Sequence, residues 1–413
     1  MEKLAIDGGS PVRSAPMPAR IMFGEEEKQA AMRVIEKTMS GNQALDRYGG
    51  IEVDIYEREF AQFFGKKFAT AVSSGTAAIH SALAALHLEP TSEVITSPIT
   101  DPGAVMPIVF QQCIPVFCDV DYKTLNPSPE SIKERITEKT GAIIAVHLAG
   151  FPSRIEEICE IAKKHNIPVI EDCAQAHGAK YKDRYAGTFA TLSAFSLMSG
   201  KHTTSGGQGG MVMTDDENLY WEAKRFADRG KPFNSTETTN LFVGLNYRMT
   251  ELEAAIGREQ LRKMFAIAEK RRNIYKKIKE GFEKELSAFR IHFCEPDAEP
   301  NPWFLFVHVD RESMRAGNDI LAQALSAEGI PVGQKYVAPM YQAKWIVERI
   351  TFGSSQMPWS LPGARKIDYK NCCPNAEKAL EDHMTLSIHE CYENQEISDI
   401  IKAFKKVENY FFK

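Results

Sequence analysis

A chain of 413 residues is long for one domain, and its 43% hydrophobic content supplies a sizeable core. With 25% charged residues and a net charge of −5, it has no electrostatic footprint for nucleic acid or an anionic membrane. The most apolar run, Ala142 to Phe151, is far short of a membrane span and the N-terminal stretch lacks a signal-peptide core, so a cytoplasmic location is expected. The eight cysteines form no CxxC pair and the ten histidines no HExxH, which argues for free buried thiols and no metal site.

In chain order, KKFATAVSSG reads as a strand entering a turn and TAAIHSALAALHL as a helix. SEVITSP, CIPVFCDVD, GAIIAVHLAG and IPVIEDCAQ are further β-branched runs of strand length. Helix-length segments lie between them, one opened by Ser128 as N-cap with Pro129 after it. This alternation predicts an α/β fold, a mostly parallel central sheet with helices on both faces. DDENLYWEAKRFADRG reads as a helix ending at Gly230, and the polar residues 231–243 as a loop. Thr250 and Glu253 form a capping box that opens an amphipathic helix running to about residue 285. The expected division is a large domain over 1–265, with an N-terminal arm, and a smaller C-terminal α/β domain over 266–413.

Three segments could carry chemistry. Ser73 to Ala78 sits where a strand gives way to a helix, a place where free N–H groups and the helix dipole favour an anion. On its own it reads more readily as an ordinary helix cap. Asp172 ends an apolar strand, where an acid costs desolvation unless a cation meets it; a solvated cap is the competing reading, and the one adopted for Glu171. Lys201 stands among small and hydroxylated residues before the glycine-rich run 206–210. Phe195 and His202 occupy positions where a P-loop requires Gly and Ser or Thr, so that motif fails.

Taken together, SSGTAAIHSAL, IPVFCDVD, PVIEDCAQAHGA, the FS-four-residues-K block at 195–201, GGQGGMVMT and GLNYRMTELEAAIGREQL resemble the DegT/DnrJ/StrS family. These are sugar and cyclitol aminotransferases of fold type I that use pyridoxal 5'-phosphate (PLP). The resemblance implies that Lys201 binds PLP covalently, that Asp172 pairs with its pyridine nitrogen and that Gln175 lies beside its phenolic oxygen. Gly75, Thr76 and Ser196 would hold the phosphate, joined by the Ser74 hydroxyl that the helix start itself offers, and Asn246 would reach the phosphate of the neighbouring subunit in a homodimer with shared active sites. The implied reaction moves an amino group from glutamate or glutamine to a keto-sugar, nucleotide-linked or free, or a keto-cyclitol. Three departures fall near the substrate: His202 where Asn is usual, Asp101 where many members have an aromatic residue, and Lys335 before Tyr336 where a histidine is frequent. Arg47 and Tyr48 could line the mouth of the site or form a plain turn. A PLP-dependent sugar dehydratase and a non-catalytic regulator are the competing readings. The first typically replaces the lysine with histidine, and the second has no reason to keep Asp172, Gln175 and Lys201 together.

Overall fold

The computed structural model describes residues 2–41, 44–45 and 50–413; Arg47 and Tyr48 lie outside them. The apolar runs become a seven-stranded sheet: β1 (Phe68–Val72), β2 (Glu93–Thr96), β3 (Ile114–Phe117), β4 (Thr140–Val146), β5 (Val169–Asp172), then, after a small hairpin of β6 (Lys180–Tyr181) and β7 (Arg184–Tyr185), β8 (Leu192–Ser196) and β9 (Gly210–Thr214). Their order is β1-β9-β8-β5-β4-β2-β3. The pairs β2–β3, β2–β4, β4–β5 and β5–β8 are parallel, whereas β9 runs antiparallel between β1 and β8. Strands β2, β3, β5, β8 and β9 are buried along their whole length, which explains their unalternated apolar sequences: helices cover both faces.

The helix starts follow local chemistry. Ser128 Oγ accepts the Ser131 N–H, and Ser74 Oγ accepts the Ala77 N–H at 3.0 Å. Thr250 and Glu253 form the capping box reciprocally, and the helix they open, Glu251–Glu285, passes residue 265 without a break. Beyond it a second sheet has the order β10-β12-β14-β13, from β10 (Phe289–Ile291), β12 (Phe304–Val309), β13 (Val332–Gly333) and β14 (His383–Ser387); the short β11 (Ala298–Glu299) pairs with β6. The N-terminal arm packs against this C-terminal lobe. Arg13 pairs with Glu396 at 3.0 Å and Asp399 at 2.8 Å, and the buried Glu328 accepts the N–H groups of Ala5 and Val12. No described helix is long and apolar enough to cross a membrane.

Candidate active site

Because β9 reverses direction, its first residue shares a rim with the carboxyl ends of the parallel strands. Residues Ser74, Asp172 and Ser196 all fall at that rim, at or just beyond the ends of β1, β5 and β8. The helix Gly75–Ala84 begins there, and its first N–H groups have no partner within the helix. Gly75 lies so close to β8 that a Cβ on it would stand 2.6 Å from Ser196 Cβ and 2.9 Å from its Oγ. Close approach of backbone to a serine hydroxyl at a helix N-terminus is a setting that favours an anion. Gly103 packs against Thr76 in the same way and brings Asp101 alongside.

Asp172 is 7% exposed and accepts one hydrogen bond, from the Ala174 N–H at 3.0 Å. Burial raises its pKa, opposed by that N–H and by the positive charge of Lys201. A buried acid this sparsely bonded suits a cationic partner such as a protonated ring nitrogen. Gln175 is held at both ends: its Oε1 accepts the Ala149 N–H at 2.8 Å and its Nε2 donates to Tyr336 Oη at 3.1 Å. Burial pushes the Tyr336 hydroxyl up to about 12, so it stays protonated beside Asp101 and Asp172.

Glu171 corrects the sequence reading. It is fully buried, not a solvated cap, and accepts N–H groups from Gly187, Phe189 and Ala190 at 2.7 to 2.8 Å as well as His147 Nε2 at 3.1 Å. His147 Nδ1 accepts the Ser153 N–H, which places the ring proton on Nε2, facing Glu171. Cys173 lies within reach of the same pair, but no lone pair on the His147–Glu171 couple is left free for a cation.

Lys201 follows a tight turn. Its N–H donates to the Met198 carbonyl at 3.1 Å, and Gly200 takes φ +96°, the conformation a type II turn needs at its third residue. The side chain is 7% exposed, with Nζ 3.7 Å from the centroid of the Trp303 ring. Burial lowers the amine to about 8, while Asp172 and Asp101 act to raise it. His202 is fully buried, with Nε2 2.8 Å from the Asn301 carbonyl, so it acts as packing beneath the turn.

The structure thus brings together Ser74, Gly75, Thr76, Asp172, Gln175, Ser196 and Lys201. Asn246 is exposed, on a segment whose neighbour Tyr247 accepts the Ser73 N–H at 2.7 Å. Of the three departures, Asp101 caps the helix Pro102–Phe110 through its bond to the Gly103 N–H, and Lys335 is exposed. Sequence reasoning missed Trp303. An indole next to a proline, before an apolar run, carries no signal of its own, since the contact joins residues a hundred positions apart.

The residues 25–405 match the model of the DegT/DnrJ/EryC1/StrS aminotransferase family. The chain is 35% identical over 302 residues to the GDP-perosamine synthase of Escherichia coli O157:H7, covering 72% of this chain and 80% of that one. It is 28% identical over 429 residues to a putative L-glutamine:3-amino-2,3-dideoxy-scyllo-inosose aminotransferase of Micromonospora echinospora, covering 99% and 97%. The X-ray structure of the aminotransferase from Psychrobacter cryohalolentis superposes with a TM-score of 0.82 at 30% identity, covering 96% of this chain and 99% of that one. The sheet, its rim and these matches agree: the chain belongs to the DegT/DnrJ/EryC1/StrS aminotransferase family, with the fold type I architecture of PLP aminotransferases.

Proposed function

We propose that this aminotransferase moves an amino group from glutamate or glutamine to the carbonyl of a nucleotide-linked keto-sugar, a keto-cyclitol being the second acceptor class. The observation that carries the reading is a buried lysine amine, lowered to about 8, in the electrostatic field of a buried acid, close to a helix N-terminus packed on Ser196. PLP, the coenzyme of this family, supplies an electron sink for the pair freed when the amino donor loses its α-proton. The residues present fit it. Ser74, Gly75, Thr76 and Ser196 would hold the phosphate, Asp172 the ring nitrogen and Gln175 the phenolic oxygen. The Lys201 amine would bind the coenzyme covalently. Nζ would be placed to take the donor's α-proton, a task its lowered basicity suits because a fraction is neutral near physiological pH.

The acceptor classes come from the names of the two curated relatives, one a GDP-sugar enzyme and the other an aminocyclitol enzyme that names L-glutamine as donor. The nucleotide-sugar class is favoured by the higher identity of the former. A homodimer with Asn246 reaching the partner's phosphate is supported by Leu241, Val243 and Leu245, exposed beside it, Val243 at 91%. The test is an assay of PLP-loaded protein with each donor against a panel of nucleotide-linked keto-sugars, free keto-sugars and keto-cyclitols, with the aminated product read by mass spectrometry. Lys201→Ala should form none; product at the unmodified rate from that variant would overturn the reading.

A further inference from the structure

Two guanidinium groups and one carboxylate tie the lysine turn to remote parts of the chain. Arg20, in the N-terminal arm, donates from Nη1 to the carbonyls of Gly200 at 3.0 Å and Lys201 at 2.7 Å, and from Nη2 to that of His202 at 3.0 Å. Its Nε bonds Glu390 Oε1 at 2.8 Å. The other oxygen of Glu390 accepts Arg271 Nε, also at 2.8 Å, and Arg271 Nη1 donates to the carbonyls of Pro302 at 2.8 Å and Trp303 at 3.3 Å. Trp303 Nε1 donates to the Gly200 carbonyl at 3.0 Å, while its ring lies under Lys201 Nζ. The contacts close a ring: Lys201 rests on Trp303, Trp303 is held by Arg271, Arg271 by Glu390, Glu390 by Arg20, and Arg20 by the backbone that carries Lys201.

We propose that Arg20, Glu390 and Arg271 form a positioning clamp that fixes the Lys201 turn and the Trp303 ring in register, so that the amine is presented to the coenzyme in one orientation. The inference rests on the assignment of Lys201 above. Three features separate the clamp from ordinary surface pairing. Arg271 is 1% exposed and Glu390 9%, and Arg20, at the rim of the clamp, 14%. One carboxylate bridges two guanidiniums with both oxygens, and removal of the bridge leaves the covered Arg271 cation without its counter-charge and facing a second cation. Arg20 also reaches three successive carbonyls with one planar fork, which a lysine cannot reproduce. A buried group that positions a reacting side chain is worth far more to rate than to binding, since a misplacement of about 1 Å costs roughly 100-fold.

The experiment uses Arg20→Ala, Arg20→Lys and Glu390→Gln in full-length protein, with two readouts. In the protein freed of coenzyme, acetic anhydride labelling of Lys201 is followed against pH by peptide mass spectrometry. In the loaded enzyme, kcat and KM for the amino donor are measured. The clamp requires the labelling midpoint of Lys201 to move in Arg20→Ala and kcat to fall about 100-fold with KM nearly constant. Added guanidinium ion should restore part of the kcat, and Arg20→Lys should remain impaired. If Arg20→Ala unfolds, Arg20→Lys, which keeps the charge, carries the test by the same readouts. An unmoved labelling midpoint with near-normal kcat in Arg20→Lys and Glu390→Gln overturns the clamp while Lys201→Ala stays inactive. An active Lys201→Ala instead removes the assignment on which the clamp rests.

Discussion

Gly75 and Ser196 touch across the gap between the first active-site helix and β8, with room at residue 75 for a hydrogen and nothing larger. Gly75→Ala would place a methyl 2.6 Å from Ser196 Cβ, and the relief would push the helix N-terminus off the rim. Coenzyme affinity should fall about tenfold or more, on the scale of a 1–3 kcal/mol overpacking cost. Adding Ser196→Gly relieves the overlap but also removes a hydroxyl assigned to the phosphate, so the lost affinity should not return. Fluorescence titration of PLP into the two variants checks both statements.

Asp172→Asn keeps the shape of the strand end and removes its charge. The variant should still take up PLP and develop a visible absorption band, with borohydride trapping the coenzyme on Lys201. Turnover should drop by about 100-fold to 1,000-fold, the scale seen when an electrostatic partner of a reacting centre is lost. Near-normal turnover would remove Asp172 from the chemistry.

The Lys201 amine makes a prediction about stability in the coenzyme-free protein. Its folded value of about 8 lies below the ordinary 10.5, so between those limits the unfolded chain binds the extra proton and stability from this group rises with pH. Lys201→Met should therefore be more stable than the parent below pH 8, by about 3 kcal/mol at most, with the difference shrinking toward pH 10.5. Urea midpoints across that range read it directly.

Glu171 behaves in the opposite sense. Burial acts to raise its carboxyl, but His147 and the surrounding N–H groups outweigh that and hold it below the usual 4.5. Its contribution is complete above that value and is lost as pH falls through the folded one. Glu171→Ala, which leaves the N–H groups of Gly187, Phe189 and Ala190 unpaired, should cost about 3 kcal/mol near neutral pH and progressively less in acid. Denaturant melts at several pH values decide it.

What the sequence made legible was what is local. The run Val169 to Asp172 read as a strand, Thr250 and Glu253 as a helix start, and Ser73 to Ala78 as a strand-to-helix junction. Contacts between distant segments left no trace in composition or spacing. Glu171 looked like a solvated neighbour of Asp172 because its partners, from residues 147 and 187–190, come from other turns of the chain. Arg20 reads as one more cation in a polar leader until the fold lays it against residues 200–202.

The reversal of β9 has a consequence for how such an enzyme can change. Since the chain leaves the sheet at Ser196 and returns at Gly210, its pairing partner at the same rim, the intervening residues 197–209 form a cassette anchored at both ends. Substitutions within it, such as His202, can reshape what surrounds the amine while the strand pairing of the scaffold is left alone.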